Sequence, residues 1–283
     1  MSEKEENSIT ISEVLVALDS SIHSRAALET AAMVAELMQA DLSGIFVREK
    51  EWKKISRLSS AQEIDEKTGE ISAIVENRVD EQIRNLEKEI REHFELIAER
   101  NKIQSSWKSV EGAVNEEVLE EAKNADLITI GSRGRSYTKK NKLGSTAKAI
   151  IIETQKPILI LQEGFKIGRV AVALYDGSPK SRKSVKLAAT LAEKNESDLI
   201  ILDLAGNHRG SDERIRDLRK LTEHANIEAD QMVMKNPDIG RFTYLLRKIG
   251  SGLLVMPNSP KYIKSRNLEH ILESVSCPVL LMS

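Results

Sequence analysis

Val14-Leu-Val-Ala-Leu-Asp19-Ser-Ser21 opens the stretch that decides the fold. Five apolar residues in a row read as a short strand buried on both faces, and Asp19 follows directly. From Ser24 to Gln39 the period changes to that of a helix, with Ala27, Leu28, Ala31, Ala32, Ala35 and Met38 on one face. Alanines there let the helix lie close on a sheet. Leu42 to Val47 is then a second strand. A shift of 157 positions lays Asp19–Ile45 over Asp176–Leu202 without a gap, with ten of 27 positions identical. Chance would give about two, so the chain contains a duplication. The ends agree as well, since Lys156-Pro-Ile-Leu-Ile-Leu161 is echoed by Cys277-Pro-Val-Leu-Leu-Met282.

Working outward, strands are expected at Ser106–Glu111, Leu127–Ile130 and Pro157–Leu161, and helices at 116–124 (capped by Asn115) and 145–154. The second half repeats this alternation. The expected fold is α/β, with two doubly wound, five-stranded parallel-sheet domains in tandem, residues 1–163 and 168–283. The linker Gly164-Phe-Lys-Ile-Gly168 lies between them. The halves differ by one insertion, residues 48–104. Its polar first part, to Glu70, reads as irregular. The rest carries Val75, Val79, Ile83, Leu86, Ile90, Phe94 and Ile97 at steps of three and four, a long amphipathic helix. Such a helix covers the sheet with a frayed end, or serves as a lid or an arm toward a second chain.

Composition narrows the function classes. The chain has 283 residues, 30% of them charged, and a net charge of −2, so no global basic field is present to hold nucleic acid. No apolar run reaches the ~18–20 residues of a membrane helix, and the polar start lacks the features of a signal peptide. The single cysteine, Cys277, reads as a buried small hydrophobe. The five histidines show no metal-ligand spacing, and no G-x-S-x-G elbow is present. A cytoplasmic binding protein is the expectation.

The chemistry is carried by Gly131-Ser132-Arg133-Gly134, nine residues, then Gly144-Ser145, that is G-x2-G-x9-G-S. Glycines after a buried strand let the backbone turn and approach a ligand. Gly144-Ser145 opens a helix, whose unpaired N–H groups and positive dipole end favour an anion. Arg133, Arg135, Lys139, Lys140 and Lys142 add positive charge. This is a phosphate loop, or else a shaped turn with solvated cations. It is neither a Walker loop nor a dinucleotide fingerprint. Asp19, at the carboxyl end of the first strand, is placed to meet a ribose hydroxyl or a base edge, or simply to help start the helix. His23, close by, reads as a surface residue at a helix start.

These segments, with Ala125-Asp-Leu-Ile-Thr-Ile-Gly-Ser-Arg-Gly134, Leu143-Gly-Ser-Thr146 and Lys156-Pro-Ile-Leu-Ile-Leu161, resemble the universal stress protein family in its tandem form. The resemblance implies an adenine nucleotide alpha hydrolase-like sheet of order 3-2-1-4-5. It also implies binding of ATP (with Mg as its counterion) or another adenine nucleotide. Asp19 and the main chain near Ala17 would contact ribose and base, and Val47 the adenine. Gly131, Gly134, Gly144 and Ser145 would hold the phosphates, and Arg133 is added for its charge. The second half departs from the pattern. Pro257 stands for Gly131, Ser265-Arg266 for Gly144-Ser145, and the loop is five residues shorter, so no phosphate cradle is expected there.

Family dimers pair their fifth strands, so Pro157–Leu161 and Pro278–Met282 are expected to pair within the chain as a pseudo-dimer. A homodimer of such units and a protein partner of unknown identity are further expectations. The reading is of a stress-response regulatory protein and not an enzyme. Slow ATP hydrolysis or phosphate transfer, and a nucleotide-free scaffold, are the alternatives.

Overall fold

A computed structural model describes residues 9–49, 62–64, 71–73, 76–134, 143–162, 164–204, 211–235, 238–259 and 268–283. In the first half, strands β1 (Glu13–Leu18), β2 (Asp41–Glu49), β5 (Ser105–Gly112), β6 (Leu127–Gly131) and β7 (Ile158–Leu161) run parallel. Their spatial order is β5-β2-β1-β6-β7, which is 3-2-1-4-5. The second half repeats that order with β8 (Val170–Tyr175), β9 (Asp198–Asp203), β10 (Ala229–Val233), β11 (Leu253–Pro257) and β12 (Val279–Met282). The halves join edge to edge into one ten-stranded sheet through β7 and β12, which pair antiparallel with Leu159 opposite Leu280. Both strands are wholly apolar and buried, so each is the covering the other requires.

Helices cover both faces. On one lie α1 (Ile22–Met38), α2 (Glu76–Arg100), α5 (Pro179–Lys194) and α6 (Ser211–Thr222). On the other lie α3 (Val114–Glu121), α4 (Ser145–Glu153), α7 (Ile239–Lys248) and α8 (Leu268–Ser274). The alanine stripe of α1 is fully buried at Ala27, Ala31 and Ala35. The helix stops where Gln39 turns left-handed at φ 56° and its N–H closes on Ala35 and Glu36. Lys166–Glu29 (2.9 Å) ties the linker to α1, and Lys148–Glu269 (3.0 Å) bridges the two halves.

Two local expectations are corrected. The N-cap of α3 is Ala113, with no side-chain cap, and Asn115 lies inside the helix, because Gly112 ends β5 only two residues before the first helical turn. Between β2 and α2 a short antiparallel ladder joins β3 (Gln62–Ile64), in the part expected to be irregular, to β4 (Ile71–Ala73), in the part expected to be helical. Ile64 faces Ile71 in that register, a pair of β-formers that period alone did not single out.

The insertion helix α2 has 25 residues, about 38 Å at 1.5 Å each. Its C-terminal half covers the sheet, with Phe94, Ile97 and Ala98 buried. Phe94 sits over Gly44 of β2 and against Trp107 of β5, ring centroids 5.4 Å apart. A Cβ on Gly44 would lie 2.8 Å from the Phe94 ring and 2.9 Å from Trp107, so the glycine makes the hollow the aromatic pair fills. The N-terminal half reaches the carboxyl ends of β2 and β5. There Asp80, Ile83 and Arg84 face Arg48, Glu49 and Glu111 across a cavity of about 150 Å³.

Candidate functional site

Parallel strands deliver their carboxyl ends to one edge, and in both halves this edge carries the polar residues that matter. In the first half, Asp19 leaves β1 and turns back on the chain. Its Oδ1 accepts from Ser21 N–H at 2.8 Å, and its own N–H donates to Ser24 Oγ at 2.9 Å. Ser21 in turn caps α1, its Oγ accepting from Ser24 N–H at 3.1 Å. Asp19 is half-buried and its second carboxylate oxygen faces the glycine loop. A Cβ on Gly134 would lie 3.1 Å from Asp19 Oδ2.

The loop after β6 is tied to this turn from several sides. Ser21 Oγ donates to the Arg133 carbonyl at 3.3 Å. Ser132, 5% exposed, donates its N–H to Leu161 O at 2.6 Å, while its own carbonyl accepts from Gly144 N–H at 2.8 Å. The two glycine segments therefore stand side by side, although nine residues separate them. Gly144, which has no side chain, is the N-cap of α4, and among the described residues no side chain caps that helix. The first-turn N–H groups of α4 are left for an anion. Ser145, exposed, is the first helical residue and not the cap.

Each sequence-expected residue is placed by this geometry. Asp19, Gly131, Arg133, Gly134, Gly144 and Ser145 converge at the carboxyl ends of β1 and β6. Ala17 is half-buried opposite Ile45 in β1, one residue inside the strand end, and its side chain packs with the core beneath α3 and α4. Val47 is 8% exposed, opposite Val110 on that same face. It forms part of the core wall near the site. Gly131 has a further duty, since a Cβ there would meet the His23 carbonyl carbon and Cβ at 2.9 Å. Its lack of a side chain is what allows the start of α1 to close on β6. Arg135, Lys139, Lys140 and Lys142 lie outside the described residues. Among the described residues, no group of acidic, histidine or cysteine side chains is arranged to hold a metal ion.

The sequence profile of the universal stress protein family matches residues 10–162, more than half of the chain. The chain belongs to the universal stress protein family. Its tandem architecture is similar to that of a universal stress protein from Archaeoglobus fulgidus DSM 4304, with a TM-score of 0.71 and 16% identity over 96% of this chain and 98% of that one. A functionally unknown protein from Pseudomonas aeruginosa PAO1 aligns at a TM-score of 0.59 with 13% identity, covering 96% of this chain and 92% of the other. At such identities these likenesses speak for the fold alone. Comparison with curated proteins returns no match.

The second-half edge is built differently from this family site. Asp176, equivalent to Asp19, is 1% exposed; its Oδ1 accepts from Ser178 N–H at 2.9 Å, and Ser178 caps α5. Pro257 ends β11 where Gly131 ends β6, and the next residue, Asn258, accepts from Lys180 Nζ at 2.9 Å. Tyr175 donates to Asp217 Oδ2 at 2.7 Å, and Arg182 pairs with the same carboxylate. Desolvation, then the bond to Asp217, pushes the phenol up to about 12. These side chains join strand ends to helices. The loop residues 260–267, including Ser265 and Arg266, lie outside the described residues. Sequence reading passed over Ser132, Lys180 and Asn258. The 157-residue repeat shift held the clue, because it sets His23 over Lys180.

Proposed function

We propose that the chain is a cytoplasmic regulatory protein that holds one ATP or other adenine nucleotide in its first half. The observation that carries this reading is the convergence of Asp19, Gly134 and the uncapped N-terminus of α4 at one strand edge. A carboxylate suits ribose hydroxyls, and glycine backbone with free helix N–H groups suits phosphates. Arg133 adds charge beside them, and Mg would come with ATP as a counterion. Ala17 and Val47 would present main chain and an apolar wall to the base. The ligand acts as a signal and not as a substrate. Occupancy orders the glycine loop and changes what the carboxyl edge, flanked by α2, presents to a protein partner. The second half serves as a structural mate, and two such units are expected to associate as a homodimer.

The test is the nucleotide content of protein purified without added ligand, read by chromatography and mass after denaturation. Close to one adenylate per chain is expected, and none in Gly134→Val or Asp19→Ala. Two per chain would overturn the silent second half. An empty wild-type protein that also ignores added ATP in calorimetry would overturn the nucleotide reading. Steady ATP turnover lost in Asp19→Ala would replace the regulatory reading with an enzymatic one.

A further inference from the structure

The helices on one face of the sheet stand in a row, α2, α1, α5 and α6, and they divide by charge at the seam. The first-half pair, α1 and α2, carries ten acidic residues against six basic ones, a net of −4. The second-half pair, α5 and α6, carries nine basic residues against four acidic ones, a net of +5. The whole chain has a net charge of only −2, so the signs are segregated. Under the repeat shift Ala26 and Glu29 of α1 become Lys183 and Lys186 of α5. Residues 50–75, which lead into α2, have five charges of each sign, and residues 205–210, which lead into α6, add one arginine, so neither segment reverses a sign. On the opposite face the contrast is weaker, because α8 sets two acidic residues against the three basic ones of α7.

These charges lie at the surface. Glu92, Glu95 and Glu99 of α2 are exposed, as are Lys183 of α5 and Arg219 and Lys220 of α6. Ion pairs within the first half, Arg25–Glu89 at 3.7 Å and Arg91–Glu95 at 2.8 Å, are themselves exposed and leave its net sign unchanged. Each outer helix also offers an apolar residue within its charged surface. Leu96, 61% exposed, has Glu92 and Glu99 one turn to either side on α2. Ile215, 37% exposed, has Arg219 one turn along α6.

We propose that this face is the homodimer interface, closed by a second copy of the chain about a twofold axis that runs along the strands. The inference rests on the homodimer expected above, and not on the nucleotide. The halves of one chain lie to either side of the β7–β12 seam. A twofold axis along the strands sets the first half of one copy over the second half of the other, so acid meets base twice and the contact closes at two copies. An axis across the strands would set each half on its like, and the copies would repel. The favoured axis also opposes α2 to α6 of the second copy, the helices that carry Leu96 and Ile215. Because α4 lies on the opposite face, its N-terminus stays open in the dimer.

The experiment is analytical ultracentrifugation of the full chain at about 50 mM and about 500 mM salt, over a range of protein concentrations. The wild-type dimer should weaken at least about tenfold across that range, as screening of opposed charges requires. Two triple variants follow, Glu92→Lys with Glu95→Lys and Glu99→Lys, and Lys183→Glu with Arg219→Glu and Lys220→Glu. Each gives its two halves the same sign, so each should be monomeric where wild type is dimeric. Mixed in equal amounts they should form a heterodimer, which misfolded proteins would not do. A wild-type dimer indifferent to salt, or variants that stay dimeric, would overturn this face and leave the homodimer to another surface. Variants monomeric apart and still monomeric when mixed would overturn the charge pairing. A wild type that is monomeric under every condition would overturn both the interface and the homodimer, without touching the nucleotide reading.

Discussion

The ends of β6 and β11 occupy the same place in two copies of one fold, yet they solve different problems. After β6 the chain continues as Gly131-Ser132-Arg133-Gly134, with Gly134 close against Asp19 and the glycine N-cap of α4 nearby. After β11 it continues as Pro257-Asn258, cross-linked by Lys180, with Asp176 enclosed. The frame is the same to the level of strand order and helix capping, since Ser21 and Ser178 cap equivalent helices in the same way. What differs is a handful of side chains at the edge. In one half they are small and leave donors exposed; in the other they reach across and satisfy one another. Duplication thus supplied two scaffolds whose described strand edges are built differently.

Exchanging the strand-end residues puts this contrast to its hardest test. Gly131→Val sets a branched side chain 2.9 Å from the backbone of His23, which the fixed start of α1 cannot yield to. Overpacking of this kind costs about 1–3 kcal/mol, and where the displaced loop carries that cost, nucleotide affinity should fall by about five- to 160-fold. Denaturant melts and ATP titration read the two effects. The reciprocal Pro257→Gly should gain no nucleotide, because Lys180 still holds Asn258. Nucleotide bound by that variant would show that proline alone closed the second site. A smaller effect is expected in the cross-linked half. Tyr175→Phe removes the bond to Asp217 but leaves Arg182 as its partner, for a loss of about 1.5 kcal/mol in a chemical melt. With the phenol pushed up to about 12, that loss should be constant between pH 6 and pH 9 and shrink only above pH 10, where the unfolded tyrosine ionises. ATP affinity should not change.

Much of this was legible in the sequence because the signals were local or periodic. Val14–Leu18 and its counterparts announced buried parallel strands, the alanine stripe of α1 announced a helix lying close on a sheet, and the repeat shift announced two copies. Pairing of β7 with β12 followed from two apolar edges that needed cover. At the carboxyl edge, the glycine spacing marked a loop that stands beside Asp19, but it could not say that Gly131 also serves the packing of α1. Nor could it reveal the tie between His23 and Ser132, 109 residues apart in sequence. The same holds for Gly44, whose purpose is visible only when Phe94 and Trp107 arrive from other elements. Contacts between distant side chains leave no periodic trace, and Asn115 shows the converse failure, a good capping residue overruled by where the preceding strand ends.

The gentlest test of the comparison is one of pH, and it belongs to the second half alone. His224 follows α6 and its Nε2 lies 2.9 Å from Thr190 Oγ1 on α5. Among the described residues its buried Nδ1 has no hydrogen-bond partner. Desolvation, and then the charge of Lys186, lower its pKa below the ordinary histidine value. A folded-state value below the unfolded one means that, as pH falls through about 6.5, the unfolded chain takes up a proton before the native one does. Stability is therefore present above that value and declines as pH falls, levelling off below the native pKa. In His224→Gln the neutral amide keeps a polar partner for Thr190 without titrating, so the decline in melting temperature from pH 7 to pH 5 should be shallower than in wild type, while ATP affinity at pH 7 stays unchanged. A variant that lost ATP affinity as well would show that the halves are coupled through the β7–β12 seam, and the division of labour between them would have to be abandoned.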